Sequence, residues 1–512
     1  MFIDDKKNFA HLAHEAELSS RIKVLEEQIA YLMRKQFGQS SEQSKVNNSE
    51  TTAESTDDTG VFSQPESTGQ QTETTAPSAH KKKRSSRQKK ISPTLPVHEQ
   101  VYELDQLQCD HCQHELTRIG RHFVREQVQF IPAQLYLEKT YQATYKCLYC
   151  SHDTATDGDI VVQAPVPLPV ISHSLATPSL MAEIIHNKFE LAVPLYRQTA
   201  DWHELGLSLS EPTLANWMIN AAGCLAPLVK LCGQELLTQK HIHGDETTCQ
   251  VLREPNKPAK SKSYLWLRCS SNDAKQPVIL FDYAPSRSGA TAQQLYQDYQ
   301  GTLVCDGYAG YNQLSEKIQR AGCWAHVRRK FFEAQRDGGP HGHGKAVEAV
   351  TQLDQLFGIE ADLANTTPTE RDQVRQQRCR PLVDHFFIWL NELKALPQSK
   401  LGHAVAYAKH QAVALKRFLS DPLIALSNNI AERQIKLAVM GRKNWLFSTS
   451  RSGAKANALL LSLVLTAKAN HLNVRKYLNY LLKELPQLGS LPNATELAAY
   501  LPWQQVVQSK CR

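Results

Sequence analysis

From residue 239 the hydrophobic pattern of the chain turns strand-like and stays so for three successive segments, QKHIHGDETTCQVL, SYLWLRCSS and QPVILFDY. Their β-branched and aromatic content favours strands. A helical segment at about 289–299, a fourth strand GTLVCD, a helix over 309–320 and a short strand over 321–325 follow. The predicted order is β-β-β-α-β-α-β and then helix. Two acids hold defined places in it. Asp245 lies inside the first strand, and Asp306 closes the fourth, followed at once by Gly307. A third, Glu432, falls in the first turn of an amphipathic helix in SNNIAERQIKLAVMGRKNWLF, where Asn428 and Asn429 can cap the start. A first-turn glutamate alone is satisfied by the helix dipole. Carboxylates from three separate elements can also converge on two divalent ions about 3.5–4 Å apart, which clamp the attacking and leaving oxygens of a phosphodiester. The joint placement points to phosphodiester chemistry.

In a ribonuclease-H-like fold the first acid lies on strand one, the second ends strand four and the third sits on a later helix. The expected catalytic core therefore spans 238–470, with a helical insertion at about 330–426 that includes the loop-like GGPHGHGKA, and a helical tail over 471–512. Basic side chains flank the acids. Arg433, Lys436, Arg442 and Lys443 follow Glu432, with Lys436 one helical turn on and on the same face. CWAHVRRKF carries His326, Arg328, Arg329 and Lys330. Such groups hold phosphates or remain solvated surface charges. Trp445 is read as a core residue, with stacking on a frayed base as the alternative. His241 and His243 share the strand face of Asp245 and are read as packing residues beside the site rather than metal ligands.

The N-terminal half is modular. Leu18, Leu25 and Leu32 recur every seven residues with Ile22 and Ile29 between them, a short a/d seam in a helix over 1–40. It suits a dimerising coiled coil or an amphipathic helix docked on its own protein. Residues 41–95 are low-complexity and are expected to be disordered. They end in a basic run that includes Lys81, Lys82, Lys83 and Arg84, suited to salt-dependent DNA contact. Within 96–165, Cys109-x-x-Cys112 and Cys147-x-x-Cys150 stand 34 residues apart, a spacing that can present four thiolates to structural Zn²⁺. His111, His114 and His152 are close enough in sequence to substitute for a cysteine. Residues 170–235 are helical. Ser210 caps and Pro212 opens the second of two helices separated by a turn at Gly206, the outline of a helix-turn-helix or of an ordinary helical hairpin.

These segments together resemble the insertion sequence 66 family of bacterial DDE transposases. The likeness rests on the heptads ending LMRKQFGQSSE, the paired CxxC knuckles, PLYRQ, GDET, DGYAGYN, GCWAHVRRKF and NNIAERQIK…GRKNWLFS. Ser427 departs from the family, which often has an acid before the Asn pair. The resemblance implies a DNA transposase that cleaves at element ends and joins them to target DNA. It assigns the acidic triad to Asp245, Asp306 and Glu432, with two Mg²⁺ or Mn²⁺ ions. It also implies double-stranded DNA as partner, a homodimer or larger assembly in the active complex, and small accessory proteins of the same element. A zinc-containing DNA-binding protein and a nuclease without strand transfer are the rival readings.

The net charge of +7 agrees with a nucleic-acid partner without requiring one. No run of about 18 uninterrupted apolar residues is present, and the N-terminus lacks a signal-peptide pattern. A cytoplasmic, nucleoid-associated protein is expected. In a reducing compartment the eight scattered cysteines outside the knuckles are expected to be buried small hydrophobes.

Overall fold

A computed structural model describes residues 134–146, 161–337, 344–489 and 492–512. The N-terminal helix, the low-complexity segment with its basic run, and the four knuckle cysteines with His111, His114 and His152 lie outside the described residues. So does the GGPHGH stretch of the insertion. The first described elements, β1 (Thr144–Lys146) and β2 (Val161–Gln163), form an antiparallel pair.

Three helices precede the main sheet. α1 (Pro178–Phe189) is capped by Thr177, and α2 (Leu195–Glu204) ends near Gly206, whose φ of 89° requires glycine. α3 (Glu211–Thr238) starts at Ser210, whose hydroxyl accepts from the Thr213 N–H. At 28 residues α3 is far longer than a helix-turn-helix needs. Leu214, Leu225, Leu228 and Leu236 are all 0% exposed, so α3 is a core helix of the main unit. It is also the one described helix long and apolar enough to cross a bilayer by length and composition.

The main sheet contains β3 (His241–Arg253), β4 (Lys262–Ser270), β5 (Ile279–Ala284), β6 (Thr302–Cys305) and β7 (Gln319–Gly322), in the spatial order β5-β4-β3-β6-β7. The β3–β4 and β4–β5 pairs are antiparallel, while β6 runs parallel to β3 and β7 parallel to β6. The sheet is therefore mixed. α4 (Gly289–Tyr296) is the crossover between β5 and β6. Its Tyr296 lies so close over β3 that a Cβ on Gly244 would come within 2.3 Å of the Tyr296 hydroxyl.

Where a helix over 309–320 is expected, the chain makes only a 3₁₀ turn at Ala309–Gln313 and then runs on to β7. Gly310 and Asn312 are poor helix formers, and the turn's main packing gain is Tyr311. That side chain is 1% exposed and meets Trp266, Tyr296 and Tyr308 edge-on. A longer helix would carry Tyr311 out of this aromatic pocket.

α5 (Trp324–Asp337) leaves the sheet and begins a second hydrophobic core. That core also takes in α6 (Lys345–Asp362), α7 (Pro368–Val374), a π-helical turn at Arg375–Cys379, α8 (Arg380–Glu392), α9 (Lys400–His410) and α10 (Ala412–Lys416). Trp324 is its hub, with Phe386, Phe387 and Phe418 edge-on at 5.8, 6.0 and 6.3 Å. The interruption of the sheet pattern is thus mostly helical and packs as a lobe with its own core.

The chain returns to the sheet in α11 (Asn429–Trp445), which packs on β3. β8 (Ser448–Ser450) then pairs in parallel with the far end of β3. α12 (Arg451–Ala469) covers β5, and its Ser462 and Thr466 hydroxyls bond the Phe281 and Ile279 N–H groups at 2.7 and 3.0 Å. α13 (Val474–Glu484), α14 (Ala494–Ala498) and α15 (Gln505–Cys511) close the fold against α1 and α3. The eight cysteines outside the knuckles are free, and six of them are buried.

Candidate active site

β3 outruns β6. Their parallel pairing ends with His243 opposite Val304, and two further residues along the same register bring Asp245 beside Asp306. Both acids therefore stand at the mouth of the strand pair, where the neighbouring strand has ended. The Asp245 carboxylate accepts the Glu246 N–H at 2.8 Å, and Asp306 accepts the Tyr308 N–H at 3.0 Å. Asp306 is held from behind as well. The Tyr407 hydroxyl accepts the Gly307 N–H at 3.0 Å, and a Cβ at Gly307 would come within 2.5 Å of the Tyr407 ring. Tyr407 belongs to α9, so the helical lobe touches the site directly.

Glu432 joins these two from α11. Its Oε2 accepts from Arg329 at 3.3 Å, and its Oε1 stands 3.8 Å from Nδ1 of His326. Burial pushes the Asp245 carboxyl up to about 7, and the charges of Glu246, Asp306 and Glu432 add to the shift. Burial lowers the His326 pKa, while the charges of Asp306 and Glu432 oppose the change. The three sequence-selected acids thus share one electrostatic neighbourhood.

Asn428 ties the acid-bearing elements together. It precedes α11 but makes no side-chain cap, contrary to the sequence expectation for the Asn pair. Its side chain points into the core instead, at 0% exposure. Nδ2 donates to the Gly244 carbonyl at 2.9 Å, and Oδ1 faces His243 Nδ1 at 2.9 Å. Because the amide donates to Gly244, its oxygen must accept, which fixes His243 as the Nδ1–H tautomer. The Asn428 N–H also bonds Sγ of Cys323, the residue before α5, at 3.1 Å. His243 thus serves packing beside Asp245. His241 does the same elsewhere, bonding Asp421 at 3.2 Å.

The flanking cations divide into two groups. Arg433, Lys436 and Lys443 are exposed along α11. Arg328 bonds Asp354 at 2.6 Å, and Lys330 sits 4.7 Å from the Tyr407 ring centre. Arg442 turns inward and bonds the Thr248 hydroxyl at 3.0 Å as well as the Thr248 carbonyl, strapping α11 to β3. Trp445 is half-buried. Phe189 lies edge-on to it at 6.1 Å, and Lys188 is 4.3 Å from its ring centre.

A fourth acid, Glu246, was not singled out from the sequence. Strand alternation turns it away from the face of Asp245, yet its side chain is only 1% exposed. Arg287 donates to it at 2.6 Å and the Tyr311 hydroxyl at 2.6 Å, while the Arg287 guanidinium stacks 3.7 Å from the Tyr308 ring centre. The one signal available was an acid beside Asp245 in a strand otherwise covered on both faces.

A mixed sheet that gathers acids from two strands and a helix, with cations around them, is the architecture of a nucleic-acid-processing enzyme. Residues 173–456 match the profile described as "Transposase IS66 family", and the chain belongs to that family. Residues 106–151 match the "zinc-finger binding domain of transposase IS66". Residues 24–99 match a leucine-zipper profile described as "Transposase C of IS166 homeodomain". Among similar proteins, the uncharacterized protein y4jD of Sinorhizobium fredii is 29% identical over 424 residues, 80% of each chain. The uncharacterized protein y4qI of the same organism is 30% identical over 360 residues, 67% of this chain and 66% of its own.

Proposed function

We propose that this protein cleaves the ends of an insertion element and joins them to target DNA. In this reading Asp245, Asp306 and Glu432 hold two divalent ions, Mg²⁺ or Mn²⁺, in a ribonuclease-H-like core. One observation carries it: the β3–β6 register sets Asp245 beside Asp306, and Glu432 approaches from α11 closely enough that burial and the charges of Glu246, Asp306 and Glu432 all push the Asp245 carboxyl up. Acids crowded in this way fit a cation, which offsets both their desolvation and their mutual repulsion. Oε1 of Glu432, buried without a hydrogen-bond partner, is a donor atom of the same kind. The strand succession supports the ribonuclease-H-like reading, with the first acid on strand one of the sheet, the second after strand four and the third on a later helix.

Bound there, the ions would activate the attacking oxygen and stabilise the leaving oxygen of an in-line phosphoryl transfer. The chain's own part is to hold the donors still. A main-chain N–H occupies one oxygen of Asp245 and of Asp306, and Arg329 occupies one oxygen of Glu432. The second oxygen of each would serve the ions. Arg433, Lys436 and Lys443, exposed along α11, suit phosphates of a duplex led past the acids. Arg329, at the start of the helical lobe, adds positive charge beside Glu432, while Arg328 is paired with Asp354 and would reach a phosphate only by leaving it. Cys109, Cys112, Cys147 and Cys150 would hold structural Zn²⁺ in the zinc-finger module. The Lys81–Arg84 run would add salt-dependent DNA affinity, and α2 with the start of α3 would contact DNA as a helix-turn-helix variant.

The test is purified protein with a labelled duplex carrying its element's ends and Mg²⁺, beside Asp306→Ala. Nicked and joined products from the parent, and none from the variant, are expected. Equal product from both would remove the acids from the mechanism.

A further inference from the structure

His326 and Glu432 turn two buried polar atoms toward each other. Nδ1 of His326 and Oε1 of Glu432 are each buried without a hydrogen-bond partner, and they stand 3.8 Å apart. That is too long for a hydrogen bond. Two atoms ligating one ion at about 2.1–2.2 Å stand roughly 3–3.6 Å apart, so a small closing movement brings both onto one ion. Other parts of the structure hold each group in place. Oε2 of Glu432 is taken by Arg329, which leaves Oε1 toward the imidazole. His326 lies in the first turn of α5, just after Cys323, whose sulfur is bonded by the Asn428 N–H. Asp306 is near enough to act electrostatically on the same imidazole.

Cys323 lies in the same cluster, with its sulfur, the imidazole and the carboxylate all within 4.8 Å of one another. Its sulfur accepts the Asn428 N–H at 3.1 Å, which ties the residue before α5 to the start of α11. A thiolate donor suits softer ions than Mg²⁺ or Mn²⁺, so the imidazole and the carboxylate are the donors considered.

We infer that His326 is a direct ligand, through Nδ1, of the divalent ion held by Glu432, and that it biases this site toward Mn²⁺ over Mg²⁺. The inference rests on the proposed function, which supplies the ion. Its chemistry is that of the donor set: all-oxygen sites suit Mg²⁺, whereas an imidazole adds affinity for transition ions. The sequence reading grouped His326 with the phosphate-holding cations, a different role that the same experiment separates.

The experiment is Mn²⁺ binding to the zinc-replete full-length protein without DNA, read from the free-Mn²⁺ electron paramagnetic resonance signal. Parent, His326→Ala and Glu432→Ala are compared, with thermal melts to establish that each is folded. His326→Ala is expected to weaken Mn²⁺ binding at least about 10-fold, the loss that even an outer-shell partner of a ligand produces. Mg²⁺ competition should change less, and added imidazole should restore part of the loss. A His326→Ala titration that overlays the parent, while Glu432→Ala is weakened, overturns the ligand role and leaves the proposed function standing. Unchanged binding in both variants overturns the two together. A folded His326→Ala protein with parental Mn²⁺ affinity and a reduced salt dependence of DNA binding would instead make His326 a phosphate contact.

Discussion

Replacing Asn428 with alanine would remove one amide that serves two buried partners. The Gly244 carbonyl and Nδ1 of His243 each lose a 2.9 Å hydrogen bond, and Asn428 and His243 are both 0% exposed. A buried polar group left without its partner costs about 1–3 kcal/mol, so the pair costs about 2–6 kcal/mol before any cavity contribution. The unfolding entropy of a unit of a few hundred residues is about 0.6 kcal/mol per degree, which converts this to a fall in Tm of about 3–10 °C. Differential scanning calorimetry of the full chain reads it. His243→Ala provides the control, because part of the Asn428→Ala cost is the orphaned imidazole. The double variant should be less destabilised than the sum of the singles by about 1 kcal/mol or more. Asn428→Asp is not a rescue, since a carboxylate cannot donate to the Gly244 carbonyl. A Tm change under about 1 °C for Asn428→Ala, or strict additivity with His243→Ala, would refute the clamp.

Gly307→Ala drives a methyl group into the Tyr407 ring, and the overpacking should cost about 1–3 kcal/mol in a thermal melt. Adding Tyr407→Ala should recover part of that loss. If the double variant melts lower than the two singles combined, the clash is not the cause. Burial lowers the Lys188 pKa from 10.5 to about 8, so between about pH 8 and 10.5 the unfolded chain binds more protons and this residue's contribution to stability rises with pH. The Tm difference between parent and Lys188→Met should therefore shift in the parent's favour from pH 8 to pH 10. A pH-independent difference would show that the ammonium remains charged against Trp445.

The parts legible from sequence were those with local signatures. Asp245 and Asp306 could be placed because strand periodicity and a following glycine mark where a strand carries or releases its acid. The helix that carries Glu432 was legible from its amphipathic pattern, but the role read for Glu432 rested on the basic flanks and the family resemblance. What escaped notice depended on contacts between residues far apart in the chain. Asn428 looked like a cap because cap chemistry is read from neighbours a few positions away. Its partners at 243 and 244 lie across the core, and two buried bonds outweigh one exposed cap. Arg442 looked like a phosphate ligand, but its guanidinium is bonded to Thr248 across the helix–strand interface. The helix expected over 309–320 gave way to the burial of Tyr311, a tertiary gain invisible to propensity. Glu246 has no such local signature: strand alternation places it opposite Asp245, and Arg287 from a later loop covers it.

Both lateral margins of the sheet are occupied by groups that are not strands. On the β5 side, Ser462 and Thr466 take the main-chain N–H groups of Phe281 and Ile279 and return their hydroxyls to the carbonyls of the same strand. On the β7 side, the Arg417 guanidinium reaches the Arg320 carbonyl at 3.1 Å. An open edge would invite the strand of a second molecule, a hazard wherever several copies are concentrated on one piece of DNA. Sealed at these positions, the sheet offers little template for such pairing. Any assembly that the proposed function requires would then use helices and loops as its contact surfaces in place of this sheet.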